Sequence, residues 1–379
     1  MSTLAIALAL RQAGESYQLV GTASALFAIA SGIGGAALGR AVDRLGQPRV
    51  LVPAACLSGG GFALVALSPD TRWTVLLGSV VAGLAAPPLE PCLLALWPSL
   101  VGTKQKAVDA AYALNAGSQQ LIFIVGPLLV VGLAAIGPAR SALWAAAALG
   151  LLGSLIMATS TPSKAWTTAP PRRRWLGALH SPGLVVMLIA LTGSGWAIGS
   201  FNVFTIAYAE QHPIPGGAGT LMAIASIGAL AGTAVSQSRH PRKTAALPVI
   251  AAAAATLMAA AYWLLALVPG PTATALVSLL AGVFFTPLLT AAFTLTPQQA
   301  PPGTITEAFA WLATAVAAGI AGGSALCGTL LADASLHAAG VNAAAGVTLC
   351  ALLLVAFHRL LKHPAVPSSR SAPPIPDAV

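Results

Sequence analysis

Apolar stretches of about twenty residues, the length a helix needs to cross the hydrocarbon core of a bilayer, recur along almost the whole chain. Lipid offers backbone N–H and C=O groups no partner, so each stretch must bond its own backbone as a helix. Eleven complete spans are predicted, near 18–39, 50–68, 73–97, 110–136, 140–159, 183–208, 217–236, 245–267, 272–295, 305–331 and 340–361. Ahead of them stand a stub, Ser2–Leu10, and a loop, Arg11–Tyr17. Ten residues of helix reach only ~15 Å, half the hydrocarbon thickness. No basic region precedes the stub's apolar run, so it is a poor signal peptide. It is expected to be the second half of a first span, truncated at its N-terminus, whose beginning lies upstream of this sequence; a genuinely shortened helix is the alternative.

Charge is scarce. Only 7% of residues are charged and 57% are hydrophobic, whereas soluble domains carry roughly 25% charged residues. Such a chain cannot solvate the surface of a water-soluble globule. It reads as an all-α integral membrane protein. The net charge of +9 does not indicate nucleic acid. The cations lie in short loops, with no basic helix or aromatic platform beside them.

Cys56, Cys92, Cys327 and Cys350 fall in separate apolar runs, with no metal-ligand or redox spacing. The six histidines form no H-E-x-x-H or similar cluster. No metal and no cofactor are expected. The spans also lack clustered His, Asp or Ser nucleophile pairs, which argues against an intramembrane enzyme.

Lysine and arginine give the orientation. Of the eighteen, the alternate loops carry only Arg11, Arg72 and Arg140; the other set carries all the rest. The positive-inside rule makes the cation-rich side cytoplasmic, with the C-terminus on it. The longest connection, Ser160–Pro182, is polar, proline-rich and basic, and lies on that side. Counting the stub as the first, six spans precede it and six follow. The expected layout is an N-terminal half at 1–159, a linker at 160–182, a C-terminal half at 183–363 and a disordered tail at 364–379.

One connection stands apart. Between the second and third spans the chain reads Gly39-Arg40-Ala41-Val42-Asp43-Arg44-Leu45-Gly46-Gln47-Pro48-Arg49. Its glycines permit a tight turn, and its charges sit where membrane meets water. The pattern G-x-x-x-D-R-x-G-x-x-R resembles the loop signature of the major facilitator superfamily, in the place the family has it. A shift of 193 residues sets Gly39 on Gly232, Asp43 on Ser236, and Pro48-Arg49 on Pro241-Arg242. This fits two homologous six-helix bundles. Glu307–Leu312 (EAFAWL) and the RRRW linker resemble bacterial exporters of the family labelled drug or sugar efflux proteins.

The resemblance implies a secondary active transporter working by alternating access about a midplane site. It implies a small-molecule substrate, a proton counter-ion, a monomer and the cell (inner or plasma) membrane. Few buried charges suit an apolar or weakly polar compound or a sugar, moved outward by antiport. A metabolite importer or uniporter is the rival within transport, and a non-transporting scaffold the rival outside it. Signature and gating roles fall on Gly39, Asp43, Arg44, Gly46 and Arg49. In the family the loop aspartate faces the start of the eleventh helix, where a carboxylate meets the positive end of the helix dipole.

Glu90 is the deepest acid, within the fourth span and beside Pro87, Pro88 and Pro91. Two readings compete. It is a proton-coupling group, since burial favours the neutral form of a carboxyl, or a structural acid bonded to amides freed by the prolines. The arginine frequent in the fourth helix of drug antiporters is absent: Leu93 and Leu94 follow Glu90. Gly126-Pro127 resembles part of the fifth-helix antiporter motif and predicts a kink, but Ile122, Val130 and Val131 replace its small residues. Thr304-Ile305-Thr306-Glu307 reads as a capping box opening the eleventh span. Asn115, Gln119 and Gln120, with Trp196, Asn202 and Trp311, are the candidate substrate-cavity residues. Asn115 and Gln119, at i and i+4, share a helix face. Trp73, Trp97, Trp175 and Trp263 lie near span ends as interface anchors.

Overall fold

The computed structural model describes residues 2–102, 105–138, 140–166, 177–212, 214–215, 217–238, 246–268, 270–333 and 335–362. The tail 364–379, the linker's Trp175 and most of the loop matched to the signature loop lie outside them. The helices are α1 (Ser2–Gln12), α2 (Tyr17–Leu45), α3 (Gln47–Leu67), α4 (Arg72–Leu84), α5 (Leu89–Val101), α6 (Gln105–Ile136), α7 (Ser141–Thr159) and α8 (Thr161–Ala165). After a 3-10 turn, Gly177–His180, come α9 (Pro182–Gln211), α10 (Gly217–Ser238), α11 (Leu247–Ala266), α12 (Pro271–Gln299), α13 (Ile305–Asp333), α14 (Leu336–Ala356) and α15 (His358–Lys362). Among the described residues, ten helical stretches are long and apolar enough to cross a membrane. α6 adds 32 residues.

Several helices outrun the predicted spans, because a helix satisfies its own backbone and can continue beyond the hydrocarbon. α2, at 29 residues, is roughly 43 Å long. The predicted fourth span is two helices. Pro87 and Pro88 cannot donate to a ladder and clash with carbonyls one turn back, so α4 stops at Leu84 and α5 restarts at Leu89. The last predicted span, 340–361, instead starts at Leu336, capped by Ser335, and ends at Ala356.

The signature segment also differs from the expected loop. Its residues through Leu45 are the last turns of α2, and Gln47 already opens α3. Gly46 alone makes the turn, at φ +86°, a conformation open to glycine at little steric penalty.

α2, α3, α4 and α7 pack together, with α1 on α2 and α7; α9 to α14 form a second group. Backbones touch where side chains vanish, as in membrane bundles. A methyl on Gly34 would collide with the Leu84 carbonyl, and one on Gly83 with the Phe27 carbonyl, so α2 and α4 interlock reciprocally. The same exchange joins α10 and α12, through Gly228 at Leu279 and Gly282 at Ala225. This pair of pairs echoes the repeat in structure. The two groups meet through α2–α13, α5–α13, α6–α10 and α6–α12.

Candidate functional site

The most extensive contact between the halves is α2 on α13, and it draws close where α2 ends and α13 begins. An atom added at Gly39 would lie 3.0 Å from Ala310 Cβ and 3.1 Å from Glu307 Cα. Gly39 therefore serves close approach, not a turn. One turn on, the buried Asp43 carboxylate accepts from the backbone N–H of Thr306 at 3.1 Å and of Glu307 at 2.8 Å. The first N–H groups of a helix have no partner within it, so Asp43 caps α13 from the other half of the molecule.

That capping displaces the predicted capping box. Thr304 donates its hydroxyl to the Pro301 carbonyl instead. The Glu307 carboxylate, 1% exposed, pairs with Arg40 at 2.6 Å. Gly177, at φ +50°, lies against this pair, and a methyl there would press on the Glu307 carboxylate and the Arg40 guanidinium. The end of the linker thus covers the junction. Arg44 and Arg49, by contrast, are exposed.

A second polar cluster lies deeper. Glu90 is in the first turn of α5, and Asn115 and Gln119 of α6 both donate to its Oε1, Asn115 at 3.1 Å. The amides meeting the acid are side-chain amides from the next helix, not backbone groups freed by the prolines. Asn115 is ten residues into α6, roughly 15 Å along its axis. Counted from the predicted start of the span at residue 110, Asn115 is only five residues in, roughly 7–8 Å.

Two contacts had no counterpart among the predicted site residues. The buried Asp109 of α6 accepts from Thr294 of α12 at 3.3 Å. It falls just outside the predicted span 110–136, although four helical residues precede it. Gln47, fully buried, donates to the Cys92 carbonyl at 3.2 Å and accepts from Ser163 at 2.8 Å, tying α3 to α5 and α8. Beside Asp109, the rings of Tyr112, Phe293 and Phe309 join α6, α12 and α13, with centroids 6.1–6.3 Å apart. Thr314 donates to the Gly32 carbonyl at 3.1 Å. The described hydrogen bonds between the halves run from the cation-rich ends of the helices to about their middle.

The predicted cavity residues do not converge. Trp311 lines a groove of about 500 Å³ between α2 and α13, with Arg40 and Thr314. Asn115 and Gln119 belong to the Glu90 cluster. Trp196 is a packing hub of the C-terminal half. Its indole N–H donates to Asn342 at 3.1 Å, Asn342 donates to Ser200 at 2.8 Å, and the ring fills a slot at Gly322 and Gly346. Asn202 sits half-buried on α9, away from the groove. Trp97 is not a plain interface anchor either, for it packs on the core that the C-terminal helices build. Gly126 is buried within the unbroken α6, so the predicted kink does not interrupt the helix. The side chains of Gln120 and Pro127 lie outside the described set.

A family model described as Major Facilitator Superfamily matches residues 1–324. The chain belongs to this superfamily. Members are membrane transporters, and this one is a multi-pass membrane protein acting on a small molecule. Solved facilitators share its fold at low sequence identity. The E. coli fucose:proton symporter FucP has a TM-score of 0.66 at 15% identity, covering 93% of this chain and 95% of its own. The proton:xylose symporter XylE has 0.61 at 16%, covering 94% and 93%. A bacterial homologue of the iron transporter ferroportin, in an outward-facing state, has 0.69 at 13%, covering 94% and 98%. Comparison with curated proteins gives no significant sequence match.

Proposed function

We propose that this facilitator works by alternating access as a proton-coupled exporter of an apolar or weakly polar compound or a sugar. It sits in the cell membrane as a monomer, with its cation-rich side and C-terminus in the cytoplasm. Glu90 carries the reading. It is an acid within the fourth span, at the proline break between α4 and α5, held by two amide donors at one oxygen. A charged acid at mid-membrane is costly and characteristically serves a polar path. This reading assigns proton exchange to that carboxyl, with Asn115 and Gln119 holding it in place. The joined cation-rich ends support a state in which the substrate path is closed on the side this reading takes as cytoplasmic.

Uptake and efflux in proteoliposomes, with and without a proton gradient, test this. Glu90→Gln should abolish gradient-driven flux and leave substrate binding and passive exchange intact. Wild-type gradient-driven flux in a well-expressed Glu90→Gln protein would rule out the coupling role.

A further inference from the structure

The seal where α6 meets α12 and, through Tyr112, Phe309 of α13 buries polar atoms with no partner. The side chain of Tyr112 is 1% exposed and packs against both Phe293 and Phe309, which also touch each other. Its hydroxyl is buried and unpartnered. On α12, Thr290 stands one turn deeper than Thr294, and its hydroxyl is also buried and unpartnered. The indole N–H groups of Trp97 on α5 and Trp311 on α13 share this condition. All four helices take part in the contact between the halves. Buried polar groups in folded proteins are almost always paired, so a cluster of orphans at one moving interface requires a physical reason.

An orphaned hydroxyl weighs against whichever state buries it. Separation of α6 from α12 and α13 would admit water to the Tyr112 and Thr290 hydroxyls and restore their hydrogen bonds. Ser79, Ser154 and Ser194 are orphaned too, but on α4, α7 and α9, where α4 and α7 pack on helices of their own half and α9 mainly does. Their burial does not change in the same way when the halves move.

We propose that Tyr112 is a gating residue. Its unpartnered hydroxyl biases the sealed, cation-rich end toward opening, and Thr290 acts in the same direction from the facing helix. The inference rests on the alternating-access reading. It separates two parts of one side chain: the ring builds the seal, and the hydroxyl keeps the seal from being permanent.

Tyr112→Phe keeps the ring and removes the hydroxyl. Thr290→Val keeps the shape and does the same. Spin labels at Ser99→Cys on α5 and Lys362→Cys on α15, both exposed positions on opposite halves, report the spacing at that end. The exposed Cys56 is replaced by serine. The expected result is a rise in the sealed population for each variant, by roughly 5- to 150-fold relative to the open one. Two distance populations that stay fixed, or shift toward opening, in both variants would overturn the inference and leave alternating access standing. A single distance in every variant, with or without a proton gradient, would overturn alternating access and the inference with it.

Discussion

Two of the junctions between the halves, α2–α13 and the meeting of α6 with α12 and α13, are built on opposite principles. At α2–α13 the charged groups are answered: Asp43 takes two backbone amides and Arg40 takes Glu307. At α6–α12 and α6–α13 the contact is mainly rings and hydroxyls, and the Tyr112 and Thr290 hydroxyls have no partner. The first junction supplies directional, charge-assisted bonds that exist only when the halves are in register. The second supplies area, which is non-directional, and a polar fault. A transporter that visits two states needs neither state to dominate. On the proposed alternating access, the charge-assisted bonds of the first junction favour the sealed state and the orphaned Tyr112 and Thr290 hydroxyls of the second oppose it. The orphaned Thr306 hydroxyl and Trp311 indole beside the first junction oppose it too.

Breaking the answered junction should give the largest effect. Asp43→Ala leaves the N–H groups of Thr306 and Glu307 without the carboxylate. Each hydrogen bond to a charged group contributes about 1.5–3 kcal/mol. The open population should rise at least about tenfold on the Ser99–Lys362 spacing, opposite in sign to Tyr112→Phe. Folding should suffer less, because water satisfies the same amides once the halves part. Purified yield near wild type with lost turnover is the expected pair of readouts. An unchanged spacing would remove Asp43 from the latch.

Glycine supplies the next test, because the two signature glycines do different work. Gly39→Ala places a methyl about 3 Å from the backbone of Glu307 and from Ala310. Over-packing of this kind costs about 1–3 kcal/mol, and on the proposed alternating access the open state lacks the crossing. The expected shift is toward opening, several-fold and smaller than that of Asp43→Ala. At Gly46 nothing lies within reach of a methyl, but the φ of +86° strains any other residue. Gly46→Ala should therefore lower thermal stability by about 1–3 kcal/mol while leaving the sealed-to-open ratio alone. A shift in that ratio from Gly46→Ala would mean the α2–α3 link changes shape between states.

What was legible in the sequence follows the same division. Apolar length and loop charge carry the helical plan, since lipid leaves the backbone few choices. Asp43 was placed opposite the start of α13 by resemblance, and the backbone of α13 does meet it there. The Glu307 box failed because a local motif competes with tertiary partners: with Asp43 on the amides, Glu307 was free to take Arg40. Asn115 and Gln119 were readable as neighbours from their spacing. Their common partner was not, because the proline break that brings Glu90 to α6 is a tertiary event. Trp196 and Asn342 are 146 residues apart, and nothing local marks either as the other's partner. Tyr112 carried no motif at all. Only burial distinguishes a tyrosine with a bonded hydroxyl from one without.

The smallest effect is expected at Arg44, and it sharpens the comparison most cheaply. The signature resemblance gives Arg44 equal standing with Asp43, one residue away. The structure separates them: Asp43 is 6% exposed and bonded across the halves, whereas Arg44 is exposed at the last turn of α2. A cation there complements the negative end of the α2 dipole, a contribution screened by water and salt. Surface changes of this kind stay small. Arg44→Ala should move the sealed-to-open ratio by less than about twofold, and the shift should shrink further in high salt. A shift comparable to that of Asp43→Ala, insensitive to salt, would show that Arg44 gains a desolvated partner when the halves open. The α2–α13 junction would then exchange one set of answered charges for another rather than simply release.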